Sequence, residues 1–497
     1  SNVRHQSGSE SIRASADVSI VRASIRIRWR TGIDAGMRVL YGGQVFDIEA
    51  VLPGADRTYV DLVCKLLPVT DAPTPEPVPP EPEPGAWYDP SDMSTLFQDS
   101  AGTVPVTAVE QPVGRMLDKS GRGNHAIQAT TTKRPIYSRR VNLLTNTETP
   151  NSSSIGVVIA ASGGFSSLKE STGSGTHGLM QTVRVVTGVE YVISCRAKRG
   201  EGTRNLTLNL AGGAPGAIYN FDSGVSVVSG AAISKSSKME LQPDGDFYCE
   251  LRFVPSNTFT TNARFLMSRN EITNNTNDIY VGDGTSSVLL KQIDFRLATD
   301  AHLPYQRVNT ATDYDANPAK FPAYLRFDGV DDALQTGNID FTGTDKMTVW
   351  AGVHSFTQQN GSATGTVVLH PDTGFRSFSM YAPAGVNNLA FTSITSTAIG
   401  TAGSVSTIAT NSNAVIAGIA DLATQTATLR ANGVQLATNT ASGGGNYRTG
   451  PLYIGSQPMP NRNLNGRLYS LIVRGAKSSL SQIEATEAYI KQKMRLP

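Results

Sequence analysis

The stretch TDAPTPEPVPPEPEPG, Thr70 to Gly85, holds seven prolines and three glutamates in sixteen residues and no aromatic side chain. Each proline holds its own φ at about −65° and drives the residue before it into extended conformations. Such a segment buries no core. It predicts a solvated polyproline-II spacer, about 3.1 Å per residue and on the order of 50 Å in all. A ligand for a proline-reading domain is the other reading of the run. In either case, the chain on its two sides has to fold as separate bodies.

At 497 residues the chain is too long for one ordinary domain. Its charged fraction is 17%, and it carries 47 glycines. Low charge with abundant Gly, Ser, Thr and Asn points to an all-β, loop-rich extracellular or virion protein. A formal net charge of +2 supplies no electrostatic argument for nucleic acid or an anionic membrane. Cys64, Cys195 and Cys249 lie far apart, with no CxxC and no histidine at metal spacing. They read as small buried hydrophobes, with a Cys195–Cys249 disulfide as the alternative. No apolar run approaches the ~18 residues of a membrane helix, and no signal peptide is visible. A protein made in the cytoplasm and released by lysis has these features. The chain opens SNVRHQ, without a methionine and close to a structured pattern, so its true N-terminus is expected upstream.

Residues 1–68 form the first predicted body. Ala23, Ile25, Ile27 and Trp29 alternate with Ser24, Arg26, Arg28 and Arg30, giving one apolar and one basic face of a strand. YGG (Tyr41 to Gly43) and GAD (Gly54 to Asp56) mark tight turns between further strand-like runs. Four strands in under fifty residues make a small sheet or barrel. The row Arg26, Arg28, Arg30 is read as a solvated face or as a surface offered to a partner. It lacks the interleaved aromatics of a base-stacking site.

The run IRIRWRTGIDAGMRVLYGGQVFDIEAV, followed by YVDLVCK, resembles the C-terminal part of the phage head–tail joining, or head-closure, family. The resemblance covers roughly fifty residues. It implies a β-barrel that assembles in a ring of six or twelve copies beneath the portal and adaptor, joins the tail and seals the DNA exit channel. In that setting Arg26, Arg28 and Arg30 would face a neighbouring subunit or the channel, near the packaged DNA. The implied location is the neck of a virion, with no membrane and no cofactor.

After the spacer (69–86), strand chemistry starts at Trp87, stops near residue 140 and resumes near 313. Two outer pieces, 87–140 with DKSGRGNHA and 313–497 with LRFDGVDD, resemble a laminin-G-like or concanavalin A-like sandwich. The stretch 141–312 has its own beginning (VNLLTNTE) and end (DFRLATDAHLPYQ). It resembles carbohydrate-binding jelly rolls of phage tail and receptor proteins, so it reads as a domain inserted into a surface turn of the outer one. Asn432–Gly433 predicts a type I′ hairpin. SLSQIEATEAYIKQKM predicts one closing helix, capped by Ser481, with Ile483, Ala488 and Ile490 on its buried face. The predicted fold class is all-β: a small barrel, a proline-rich linker and two nested β-sandwiches.

Catalytic patterns do not stand out. No H-E-x-x-H, G-x-S-x-G or P-loop motif occurs, nor does the E-x-D-x-x-E strand that would set two carboxylates about 5 Å apart for glycoside hydrolysis. Asp328, Asp331 and Asp332 read as a turn, with calcium ligation through oxygen as the alternative. His125 reads as polar loop surface. Tyr219, Asn220, Tyr280, Tyr381, Asn387 and Asn388 are the candidate glycan contacts, because sugar recognition needs aromatic faces and amides on exposed loops. A virion structural protein that displays sandwiches toward host-surface glycan or neighbouring virion proteins is therefore expected. A neck cement without sugar binding and a polysaccharide depolymerase are the alternatives.

Overall fold

The computed structural model describes residues 2–5, 22–30, 33–35, 37–41, 44–54, 58–66, 83–148, 150, 154–212, 215–269, 279–356, 364–371, 376–383, 389–395, 398–405, 411–440, 445–457 and 462–497. The chain separates into two compact units, Ser1–Glu76 and Pro77–Pro497. Most of the proline-rich spacer lies outside the described residues. Its last residues are not linker: Glu83 accepts a hydrogen bond from Arg474, and Gly85–Tyr88 is already a strand.

The N-terminal unit is a five-stranded antiparallel sheet in the spatial order Asn2–His5, Arg22–Arg28, Tyr59–Leu66, Gln44–Pro53, Arg38–Tyr41. The period-2 pattern works as physical chemistry requires. Ile25 and Ile27 stand opposite Leu62 and Val60 on one face, while Arg26 and Arg28 stand opposite Asp61 and Tyr59 on the other. Ile25, Phe46, Ile48, Val60, Leu62 and Cys64 form its core. Arg38–Tyr41 and Gln44–Pro53 pair as a hairpin with Tyr41 opposite Gln44; the two glycines of YGG lie outside the described residues.

In the larger unit, the strands of residues 85–138 and 324–474 share two sheets. One contains Ile136–Ser138, Tyr324–Asp328, Asn465–Arg474, Lys346–Ser355, Asn413–Asp421, Thr426–Ala431 and Val434–Thr440 in that order, with Gly85–Tyr88 also paired to Asn465–Arg474. The other runs from Ala398–Val405 through Thr364–Pro371, Thr449–Ile454 and Leu334–Asp340 to Leu96–Phe97. Their facing sides enclose a single apolar core that includes Tyr88, Met116, Phe327, Phe341, Phe391 and Leu471. Asn432 and Gly433 both take positive φ (50° and 83°), as the two-residue hairpin between Ala431 and Val434 demands.

The helix Leu480–Lys493 covers the other face of the first sheet, seating Ile483, Tyr489, Ile490 and Met494 on Trp87, Trp350 and Tyr469. Gly352 lets it approach, since a Cβ there would meet Ile490 at 2.5 Å. The cap is Ser479 rather than Ser481: its hydroxyl accepts from the Gln482 amide, and the Gln482 side chain accepts from the Ser479 amide. Ala488 faces solvent and Tyr489 is buried: at about 100° per residue, Ala488 falls well off the face that Ile483 and Ile490 share.

Strands between 154 and 297 pair only with one another among the described residues, in two six-stranded sheets and one two-stranded ladder. Their core holds Tyr191, Tyr219, Phe253, Phe265 and Phe295. Cys195 and Cys249 stand directly opposite on neighbouring strands as free, buried thiols, and burial pushes both thiol pKa values up. Two buried amides bind the incoming and outgoing segments of this region together. Gln306 accepts from the Val141 and Asn142 amides and donates to the Arg139 and Asp315 carbonyls. Asn142 donates to the Ile293 and Gln306 carbonyls and accepts from the Leu144 and Phe295 amides. Beyond this clamp, Asp300 forms a buried ion pair with Arg467 of the outer sandwich at 2.8 Å.

Removing one partner of a buried pair leaves a charge without compensation. Asp300→Ala is therefore expected to destabilise the protein by about 3–5 kcal/mol, and adding Arg467→Met, which replaces the stranded guanidinium with an apolar side chain, should restore most of the loss. Denaturant unfolding of the single and double variants checks this; equal losses in both would refute the pairing.

Candidate functional site

On the polar face of the N-terminal sheet, Arg26 is held by Asp61 on the neighbouring strand. Nε and Nη2 each reach a different carboxylate oxygen at 2.7 Å. The guanidinium also lies 3.9 Å from the centroid of the Tyr59 ring. This bidentate, stacked geometry suits arginine and not lysine. Arg28 and Arg30 are exposed at the end of the same strand. The predicted arginine row thus divides into one structural residue and two that point to solvent.

The candidate glycan contacts sit elsewhere than the sequence suggested. Tyr219 is 0% exposed in the core of the 154–297 sandwich, and Tyr381 is 3% exposed in the outer one. Tyr280 is 8% exposed; its hydroxyl donates to Glu170, and Arg204 covers its ring at 4.6 Å. Asn220 uses its side-chain oxygen to accept from the Asp222 and Ser223 amides, closing a turn. A pyranose stacks on an exposed aromatic face, and none of these tyrosines presents one, so their role is packing. Asn387 and Asn388 lie outside the described residues.

Both sequence motifs that carried the outer-sandwich resemblance prove to be loops organised by carboxylates, one in the first and two in the second. In DKSGRGNHA, Asp118 accepts from the amides of Trp87, Ser120 and Asn124. Gly121 and Gly123 take φ of 81° and 74°, and His125 accepts from the Asp118 amide through Nδ1. Burial, then Arg115, lowers the His125 pKa. In FDGVDD, Asp328 accepts from the amides of Val330 and Asp331, while Asp332 accepts from the Asp328 amide. One oxygen from each of Asp328, Asp331 and Asp332 lies within 4.8 Å of the others. That donor set would suit a hard cation, but two of the three acids already close the turn.

A small recess in the 154–297 sandwich brings two more acids together. It is lined by Tyr248, Glu250, Asp294, Arg296 and Tyr305 and has a volume of about 120 Å³. Glu250 accepts from the Tyr248 hydroxyl at 2.7 Å, and Asp294 pairs with Arg296. Both acids are thus engaged by neighbouring side chains of the recess. The 141–142/306 clamp gave no warning in the sequence, where glutamine and asparagine read as loop residues.

Residues 1–67 match the family model of the phage head completion protein. A search of the curated proteins finds no match. Among solved structures, the chain is similar to the full extracellular region of zebrafish Gpr126/Adgrg6, at 11% identity and a TM-score of 0.23, over 63% of this chain and 36% of that one. It is similar to the Trypanosoma rangeli sialidase in complex with DANA, at 10% identity and a TM-score of 0.27, over 96% and 83%. Domains LG4-5 of the mouse laminin α1 chain follow, at 11% and 0.23, over 61% and 89%. The chain thus spans little more than a third of the zebrafish region, and TM-scores of this size carry no conclusion about fold or activity.

Burial, then the Asp328 carboxylate, pushes the Asp332 pKa up to about 7 from its ordinary 3.8. A raised carboxylate pKa favours folding below the unfolded value, and that contribution is lost as pH rises through the folded one. Asp332→Asn, which keeps the acceptor for the Asp328 amide, should raise the melting temperature at pH 8, with the gain fading towards pH 4. A gain that grows on acidification would contradict this reading.

Proposed function

We propose that this chain is a structural protein of a phage virion. Its N-terminal unit acts in completing the head, seated at the neck with portal or adaptor and tail proteins as partners and with copies of itself in a ring. The sandwich unit displays surfaces toward host glycan or neighbouring virion proteins and catalyses no reaction. The observation that carries this reading is one of boundaries. The family match ends at residue 67, just before the proline-rich run, and the N-terminal unit, with its own sheet and core, ends at Glu76 within that run. A match confined to a self-contained folding unit is what a fused functional module produces.

Within that unit, Arg28 and Arg30 are the groups offered to a neighbouring subunit or to the channel, while Arg26 fixes two strands through Asp61. A ring multiplies the sandwiches, and many weak sites on one particle yield avidity that a single copy lacks.

A phage carrying a stop codon early in this reading frame should accumulate heads and tails that fail to join, and supply of the full chain in trans should restore tailed particles. Charge reversal at Arg28 and Arg30 in the supplied chain should lower the yield of joined particles without changing its melting temperature. Normal tailed particles from the stop-codon phage would overturn the neck assignment.

A further inference from the structure

A cleft of about 720 Å³ opens on the outer sandwich, within the ~300–1,000 Å³ of small-molecule sites. Its floor is a row across three strands, in which Gln335 stands opposite Ile127 on one side and Tyr453 on the other. All three side chains lie on the face away from the apolar core: Ile127 and Gln335 are exposed and Tyr453 is half-buried. At the end of the row stand Gln457, Asn463 and a Lys133–Asp331 pair at 3.9 Å.

Gln457 is the informative residue. It is 6% exposed and lines the cleft, yet neither its amide nitrogen nor its amide oxygen has a hydrogen-bond partner among the described residues. Burying both ends of an amide unmade is costly and rare in native proteins. The loop that carries it is positioned by other means. Gly455 takes φ of 78°, with the Phe327 ring filling the space where a Cβ would stand, 2.1 Å away. The Ser456 hydroxyl donates to the Asn463 side-chain oxygen at 2.6 Å, and Asn463 donates to the Val330 carbonyl. The amide of Gln457 thus lines the cleft as a donor and an acceptor that no hydrogen bond of the fold uses.

We propose that this cleft binds a neutral pyranose segment of a host-surface polysaccharide. Gln457 would donate to one ring hydroxyl and accept from the next, while Tyr453 and Ile127 would take the C–H face of the sugar. Neutrality follows from the charges present: Lys133 and Asp331 compensate each other, and the floor residues carry none. The apolar floor beside amides fits a polyol with one hydrophobic face. This assignment rests on the reading that the sandwich unit contacts glycan, and it names the site and the ligand class.

The test uses the full chain on an array of neutral and anionic bacterial surface oligosaccharides, with melting temperature measured in parallel. The parent should retain neutral members. Gln457→Leu, which removes two unmade hydrogen-bonding groups, should weaken binding by about tenfold or more while the melting temperature holds or rises. Tyr453→Ala supplies a second variant and should weaken binding in the same direction. Parent-like binding by both variants would move the glycan site elsewhere and leave the glycan reading intact. A fall in melting temperature for Gln457→Leu would make the amide structural and overturn the proposal. Retention of no glycan at all would remove both the site and the glycan reading, favour a protein occupant, and leave the head-completion assignment standing.

Discussion

Gln306 uses all four of its amide hydrogen-bonding positions inside the protein, and the larger unit depends on that clamp. It holds the segment at 139–142 against the segment at 306–315, more than 160 residues later in the chain. Only with those ends together can Ile136–Ser138 lie beside Tyr324–Asp328 and complete the first sheet. Closing so long a loop is entropically unfavourable, although the cost grows only slowly with length. Satisfied polar contacts at the crossing, rather than apolar burial alone, make the crossing specific. The Asp300–Arg467 pair then ties the segment after residue 297 to the outer sandwich, and both charges are buried, so separating them is costly.

The distribution of tyrosines bears directly on function. In sandwiches built from short strands with many small residues, the large rings are needed inside. Tyr88, Tyr137, Tyr219, Tyr469 and Tyr489 are among the largest fully buried side chains. What remains for recognition on the outer sandwich is a half-buried tyrosine on the sheet surface and amides on adjoining loops. That is a weak site taken singly, and display in many copies is the physical setting in which weak sites suffice. The arginine face of the N-terminal sheet divides in a comparable way, with one guanidinium held in an ion pair and its neighbours exposed.

Much of the architecture was legible along the chain. Alternation of period two set the faces of the N-terminal sheet, and Asn432–Gly433 located a hairpin, because backbone sterics act within a few residues. The spacer reading rests on proline alone, and most of that run lies outside the described residues. The helix was placed correctly, but its cap was misread by two residues: Ser479 and Ser481 offer the same hydroxyl, and only the reciprocal bond with Gln482 distinguishes them. The motifs DKSGRGNHA and FDGVDD were recognisable as loops, whereas the carboxylates organising them became visible only from their amide partners.

Local rules thus settle the all-β class, the two bodies, most strand faces and the turns, since each follows from dihedral preference or side-chain alternation. Which tyrosines are buried, which amides clamp a crossing and which amide is left unpartnered beside a cleft are matters of three-dimensional neighbourhood. Tyr219 and Tyr453 both occupy strand positions, yet one ring fills a core and the other borders a cleft. Gln306 and Gln457 are equally ordinary in composition, and three of the four bonds that make Gln306 a saturated clamp come from residues more than a hundred positions away.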